Sequence, residues 1–145
     1  MNSKKGRSKR MKDILIASHG HMASGIQSSI EILTGMGDSI KVIDAYVDQT
    51  DYVPKINEFI KEAKRPAVIF TDLLGGSVNQ KVTLAAAKEK DIFIVTQTNL
   101  AVIMSVLLDG EELTKEHLQE LIAQSQVQLV ELESSSEDDQ DDFFD

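Results

Sequence analysis

The chain's architecture follows from residues 14–25, which read Ile14-Leu15-Ile16-Ala17-Ser18-His19-Gly20-His21-Met22-Ala23-Ser24-Gly25. A short apolar run that ends at a glycine predicts a buried strand that passes through a turn into a helix. His19 falls where that strand ends. In parallel α/β sheets, reacting groups lie outside the carboxyl ends of the strands. We therefore interpret His19 as a nucleophile.

The composition predicts one packed domain. The chain has 145 residues, of which 41% are hydrophobic and 27% charged, and this mixture favours a core over disorder. No apolar run approaches the roughly 18 residues that a membrane span requires. The absence of cysteine excludes disulfides, thiolate catalysis and cysteine-ligated zinc. We expect a cytoplasmic protein.

The charge of the chain is unevenly distributed. The formal net charge is -9, while six basic residues precede residue 13 and six acidic residues follow residue 133, so the segment between them carries the whole net charge. We expect a basic flexible head at 1–11, one domain at 12–133 and an acidic disordered tail at 134–145. An acidic domain repels phosphate backbones, so we expect a basic protein partner and no nucleic acid.

Apolar periodicity predicts alternating strands and helices along the domain. Strands are predicted at 13–18, 40–45, 67–71, 92–96 and 127–133, and helices at 24–33, 54–64, 78–88, 100–108 and 114–124. Alternation of this kind predicts an α/β fold, a doubly wound, mostly parallel open sheet of four strands. The polar positions of the segment 127–133 favour a fifth strand at a sheet edge.

Residues that follow the third predicted strand could assist His19 as a nucleophile. If those strands are neighbours, His19 and Asp72 face one crevice, and the carboxylate can hold Nδ1 so that Nε2 carries the free lone pair. Gly75, Gly76 and Ser77 follow Asp72 and offer backbone N–H groups, a hydroxyl and a helix N-terminus to an anion. Ser77 is predicted to cap that helix.

The other two histidines give weaker signals. His21 lies two residues after His19, but no cysteine or third nearby histidine completes a zinc site, so we expect no metal and leave open a role for His21 at the rim of the crevice. His117 falls within a predicted helix. We expect it to be a surface residue.

Three stretches of the sequence resemble a known family. Ile14-x-Ile16-x-Ser18-His19-Gly20-x-x-Ala23-x-Gly25, then Asp72-Leu73-Leu74-Gly75-Gly76-Ser77 and Gln97-Thr98-Asn99-Leu100-Ala101, resemble the EIIA domain of the mannose and fructose family of the bacterial phosphoenolpyruvate-dependent sugar phosphotransferase system (PTS). The likeness covers roughly residues 12 to 133. Where relatives often carry a proline after Gly-Gly-Ser and an aromatic residue before it, this chain has Val78 and two leucines.

The resemblance implies a phosphoryl carrier that needs no cofactor. His19 would accept a phosphoryl group on Nε2 from the phosphocarrier protein HPr and pass it to a cognate EIIB, with membrane EIIC and EIID components taking part indirectly. Asp72 would orient His19, and Ser77 would help to hold the phosphoryl oxygens. The family also forms homodimers that exchange the C-terminal strand, here 127–133.

Two alternatives stay open at this point. A phosphotransferase subunit of dihydroxyacetone kinase shares the fold and the histidine but resembles Ser-His-Ser rather than Ser18-His19-Gly20. A histidine phosphohydrolase also places a histidine after its first strand, but it needs an arginine just before the histidine and further arginines around the phosphate. Here Ser18 precedes His19, and the arginines are Arg7, Arg10 and Arg65.

Overall fold

The computed structural model describes residues 12–133; the predicted basic head 1–11 and acidic tail 134–145 lie outside that range. Its four strands are β1 (Asp13–His19), β2 (Ile40–Ala45), β3 (Ala67–Thr71) and β4 (Ile92–Val95). Its five helices are α1 (Met22–Thr34), α2 (Val53–Glu62), α3 (Ser77–Ala86), α4 (Leu100–Leu108) and α5 (Lys115–Ala123). One turn of 3-10 helix, Gly37–Ser39, leads into β2.

The strands form one parallel sheet in the order β2-β1-β3-β4. β1 pairs on one side with β2, where His19 lies opposite Ala45, and on the other side with β3, where Ala17 lies opposite Thr71. The chain therefore moves outward from β1 to β2 and then returns to the other side of β1. The loops after β1 and β3 diverge at this reversal, and a crevice opens between them.

Alternating side chains of β1 enter two separate cores. Ile14 and Ile16 pack in a core that α1, α4 and α5 cover. Leu15 and Ala17 pack in a second core, which α2 and α3 cover on the opposite face of the sheet. All of β3 is buried because it lies between two strands and two helical layers. The predicted doubly wound parallel sheet of four strands is confirmed.

For the four strands and five helices that form, the boundaries predicted from periodicity agree with the structure to within two residues. Two caps explain why the later helices begin where they do. The Asn99 side chain accepts a hydrogen bond from the Val102 N–H at the start of α4, and Thr114 accepts one from the His117 N–H at the start of α5. Each cap satisfies a first-turn donor that has no acceptor within the helix.

Residues 127–133 form no strand in the described chain. Their four large apolar side chains are 77 to 90% exposed: Val127, Leu129, Val130 and Leu132. The predicted exchange of this segment between two protomers stays a prediction. None of the described helices combines the length and apolar character needed to cross a bilayer.

Candidate functional site at the carboxyl edge of the sheet

The sheet brings the two predicted reacting groups together. His19 is the last residue of β1, and Asp72 directly follows β3, the neighbouring parallel strand. Both residues therefore lie at the carboxyl edge, at the point where the strand order reverses. The adjacency of the first and third strands, on which the pairing of these residues depended, is confirmed.

Asp72 holds the ring of His19 in one tautomer. Asp72 Oδ2 accepts a hydrogen bond from the His19 backbone N–H at 2.7 Å and lies 2.8 Å from Nδ1. A carboxylate only accepts hydrogen bonds, so Nδ1 carries the proton and Nε2 carries the lone pair. The His19 side chain is 45% exposed and that of Asp72 is 10% exposed. The ring of His19 is therefore oriented by a nearly buried group, and Nε2 lies in a partly exposed side chain.

The Asp72 carboxyl is held in its ionised form. Burial raises the pKa of Asp72, but hydrogen bonds from the backbone and ring of His19 and from the Leu73 N–H outweigh that effect. The net result is a pKa below the usual value of 3.8. Since the carboxylate stays charged at neutral pH, it remains an acceptor for Nδ1 throughout the physiological range.

The backbone N–H groups of the loop after β3 already have hydrogen-bond acceptors in the loop and in the first turn of α3. Gly75 has a φ of 77°, a left-handed conformation that glycine adopts without strain, and its N–H donates to Asn79 Oδ1 at 3.1 Å. The Gly76 N–H donates to the Leu73 carbonyl, also at 3.1 Å. Asn79 Nδ2 in turn donates to the Thr71 hydroxyl at the end of β3. An anion at Gly75 and Gly76 would have to replace these partners, so their role in phosphate binding stays a prediction.

Ser77 does not cap α3 as the sequence predicts. The helix begins at Ser77 itself, Gly76 is the N-cap residue, and no side chain caps this end. Ser77 Oγ instead lies 3.3 Å from His19 Nε2 and 2.8 Å from the Tyr46 hydroxyl. The hydroxyl has these remote partners because β1 and β2 end beside the first turn of α3. It therefore contacts the His19 ring rather than the helix backbone.

Tyr46 is a site residue that the sequence did not reveal. It directly follows β2, the other neighbour of β1, and its ring stacks on that of His19 with centroids 5.2 Å apart and planes at 28°. Its φ of 67° is uncommon for a bulky residue, and strained conformations of this kind cluster at functional sites. The position after a strand that pairs with β1 was the signal that could have identified it.

His21 belongs to a different pair. Its Nδ1 lies 3.0 Å from Asp44 Oδ2, and its side chain is 79% exposed. Asp44 also accepts hydrogen bonds from the N–H and hydroxyl of Ser24 in the first turn of α1. Among the described contacts no hydrogen bond joins His21 to His19 or Asp72. His21 thus lies at the rim, and its hydrogen bond supports the start of α1.

His117 lies at the surface of α5, as predicted, but it is not fully exposed. Its side chain is only 17% exposed, and Nε2 lies 2.8 Å from Asp109 Oδ2 because the turn after α4 folds back on α5. Ligand atoms of Asp109, Glu111 and His117 lie within 4.8 Å of one another and could approach a cation. The Lys12 ammonium, 3.4 Å from Asp109 Oδ2, already supplies a positive charge there.

The fold and the site together define a class: parallel α/β proteins with a carboxylate-oriented histidine at the point where the strand order reverses. The chain belongs to a family within it, described as PTS system fructose IIA component, whose model matches residues 13–126. The predicted resemblance to PTS EIIA proteins is thereby confirmed. No curated protein sequence matches the chain.

Solved structures share the fold. A mannose/sorbose specific IIA subunit from Enterococcus faecalis is 22% identical, with a TM-score of 0.74 over 86% of this chain and 98% of that one. An EIIA component from Streptococcus agalactiae is 25% identical, with a TM-score of 0.67 over 79% and 92%. A PTS IIA protein associated with the fucose utilization operon of Streptococcus pneumoniae is 22% identical, with a TM-score of 0.64 over 79% and 88%.

Proposed function

We propose that this chain is a phosphoryl carrier of a sugar phosphotransferase system. In this proposal Nε2 of His19 accepts a phosphoryl group from phospho-HPr and passes it to a cognate EIIB, which serves sugar uptake through EIIC and EIID. The observation that carries the proposal is the hydrogen bond between Asp72 and Nδ1, at 2.8 Å, which leaves Nε2 with its lone pair at an exposed edge. Membership of the PTS fructose IIA family supports the same function.

The chemistry requires only positioning and charge. The phosphorus–nitrogen bond of the donor histidine breaks and the donor nitrogen keeps the electron pair, while the Nε2 lone pair of His19 forms the new bond. Nδ1 keeps its proton, so the ring becomes positively charged and its hydrogen bond to Asp72 strengthens. Because the transition state of phosphoryl transfer is loose, orientation and electrostatic stabilisation supply most of the catalysis.

The surroundings of His19 suit docking by two proteins in turn. Exposed apolar side chains follow the carboxyl ends of the three strands β1, β2 and β3: Met22, Tyr46, Val47, Leu73 and Leu74. A partner that covers them would exclude water from the phosphohistidine and protect it from hydrolysis. The Ser77 hydroxyl, near Nε2, would then hold the phosphoryl oxygens, joined by the amides of Gly75 and Gly76 once these leave their acceptors, Asn79 Oδ1 and the Leu73 carbonyl.

The phosphohydrolase alternative lacks its essential groups. Arg65, the single arginine within residues 12–133, donates to the Ile60 carbonyl and to Glu89. It lies between α2 and the start of β3, and so at the amino edge of the parallel sheet. His19 and Asp72 lie at the carboxyl edge. A hydrolase that binds phosphate through arginine therefore does not fit the described residues.

Two further expectations belong to this proposal. The exposed apolar segment 127–133 would be buried if two protomers exchanged it as an edge strand, which supports a homodimer. Exchange of phosphoryl groups with HPr and EIIB would place the protein in the cytoplasm.

A complete relay tests the proposal. Phosphoenolpyruvate, enzyme I and HPr are combined with an excess of a mannose-family EIIB and a catalytic amount of this protein, and phospho-EIIB is measured by intact mass. The wild type should support transfer and His19→Ala should not, while His117→Ala, a histidine far along the chain, should keep it. If phospho-HPr accumulates and the wild type receives no phosphoryl group from it, the proposal is wrong.

A further inference from the structure

A chain of hydroxyl groups ends at the nucleophilic nitrogen of His19. The Tyr52 hydroxyl lies 3.3 Å from that of Tyr46, which lies 2.8 Å from Ser77 Oγ, which in turn lies 3.3 Å from Nε2. Since Nε2 has only a lone pair, Ser77 must donate to it. Each hydroxyl has one proton, so Tyr46 then donates to Ser77 and Tyr52 donates to Tyr46. All three hydroxyl protons therefore point toward Nε2, where a phosphoryl group would bring negative charge.

The ammonium group of a lysine lies over the two tyrosine rings of this row of hydroxyl groups. Lys81 is one helical turn after Ser77 on α3, and its ammonium lies 4.8 Å from the ring centroid of Tyr52 and 5.7 Å from that of Tyr46. Burial raises the pKa of Tyr52, so that residue stays a neutral donor.

We propose that Tyr46 and Lys81 stabilise the phosphorylated state of His19. Tyr46 is a positioning residue: its ring fixes the plane of the imidazole, and its hydroxyl directs the Ser77 proton toward Nε2. Lys81 supplies positive charge beside the Tyr46 ring that stacks on His19, in a protein of negative net charge. Preorganised donors of this kind stabilise charge without reorganisation at the moment of transfer. The inference rests on the proposed phosphorylation of His19.

The two residues have different expected contributions. Tyr46→Phe keeps the stacked ring and removes the proton that orders Ser77, so the half-life of phospho-His19 should fall about fivefold, the effect of one hydrogen bond. Lys81→Gln should shorten it about two- to fivefold, as expected for a charge at a partly exposed position. Lys81→Arg keeps the charge and should restore most of the lifetime.

In the test, His19 is phosphorylated chemically, without HPr. Phosphoramidate transfers its phosphoryl group to histidine and releases ammonia, and the half-life of the phosphoprotein is then followed by intact mass at several pH values. The 31P chemical shift reports the surroundings of the phosphoryl group, which a purely structural role would leave unchanged. Lys88→Gln, an exposed lysine past the end of α3, makes the same change of charge away from the site.

The outcomes separate the two proposals. Shorter lifetimes and shifted 31P signals in Tyr46→Phe and Lys81→Gln, with Lys88→Gln and Lys81→Arg close to wild type, support the inference. Lifetimes and shifts equal to wild type in both site variants overturn it while leaving the carrier function intact. Loading by phosphoramidate but not by phospho-HPr contradicts the carrier function alone. No loading of the wild type by either donor contradicts both.

Discussion

Replacing Asp72 by asparagine removes the charge that orients His19 while keeping the shape of the side chain. Oδ2 accepts two hydrogen bonds from His19 and Oδ1 accepts one from the Leu73 N–H at 2.9 Å. An amide has one accepting atom, so either the Leu73 N–H or the ring of His19 must face an NH2 group. In the second case Nδ1 becomes the acceptor, and the proton moves to Nε2, the atom that must attack.

The size of the effect follows from one charge-assisted hydrogen bond. Such a bond contributes about 1.5–3 kcal/mol, and about 1.36 kcal/mol corresponds to a tenfold change in rate. Because the His19 ring becomes positively charged on phosphorylation, the bond to Asp72 is strongest in the transition state and product. We expect Asp72→Asn to accept the phosphoryl group about 10- to 150-fold more slowly than the wild type.

The assay is a single-turnover rapid quench with excess phospho-HPr, combined with 15N NMR of the His19 ring to read the tautomer. Asp44→Asn is the matched control, since it makes the same change at the His21 pair. It should lower stability, through the start of α1, and leave the tautomer of His19 unchanged. If Asp72→Asn transferred at the wild-type rate with the proton still on Nδ1, the assignment of Asp72 as the orienting group would be wrong.

Three further predictions concern other parts of the molecule. Gly75→Ala should destabilise the protein by about 1–2 kcal/mol because φ is 77° there, whereas Gly25→Ala, in open space within α1, should stabilise it by about 0.5–1 kcal/mol; urea unfolding measures both. The hydrogen bond to Asp109 raises the pKa of His117 above 6.5, so that its stabilising effect is complete below pH 6.5 and is lost as pH rises through the folded-state value. The pH profile of unfolding should lose this step in His117→Gln. Leu129→Lys should convert the proposed homodimer to monomers in light scattering, since residue 129 lies in the exposed apolar segment.

Each of these three predictions would be contradicted by a specific result. Equal effects of the two glycine substitutions would show that backbone conformation is not what selects glycine at position 75. A His117→Gln protein with the wild-type pH profile would show that the Asp109 pair does not contribute to stability. For the dimer, Gln128→Lys is the control at a neighbouring polar position, and a loss of dimer in both variants, or in neither, would argue against a packed strand.

The parallel sheet and the pair His19–Asp72 could be predicted because both depend on local patterns. Short apolar runs such as those of β1 and β3 mark buried strands, and a parallel α/β sheet brings the residues that follow its strands to one edge. The prediction needed only the further assumption that β1 and β3 are neighbours.

Other parts of the site depend on contacts between distant segments. Ser77 has the residue type and position of an N-cap, and only the approach of Tyr46 and His19 shows why its hydroxyl is engaged elsewhere. Tyr46 carries no local signal beyond following β2. The partial burial of His117 was not predicted for a similar reason, because its partner Asp109 precedes a turn whose course periodicity does not specify.

The position of the phosphoryl group tests the central claim most directly. The protein is incubated with phospho-HPr, and the adduct is examined by intact mass, by acid lability and by NMR correlation of phosphorus with the ring nitrogens. We expect one acid-labile phosphoryl group, bonded to Nε2 of His19 and absent from His19→Gln. An adduct that persists in His19→Gln, or that lies on His21 or His117, would contradict the account.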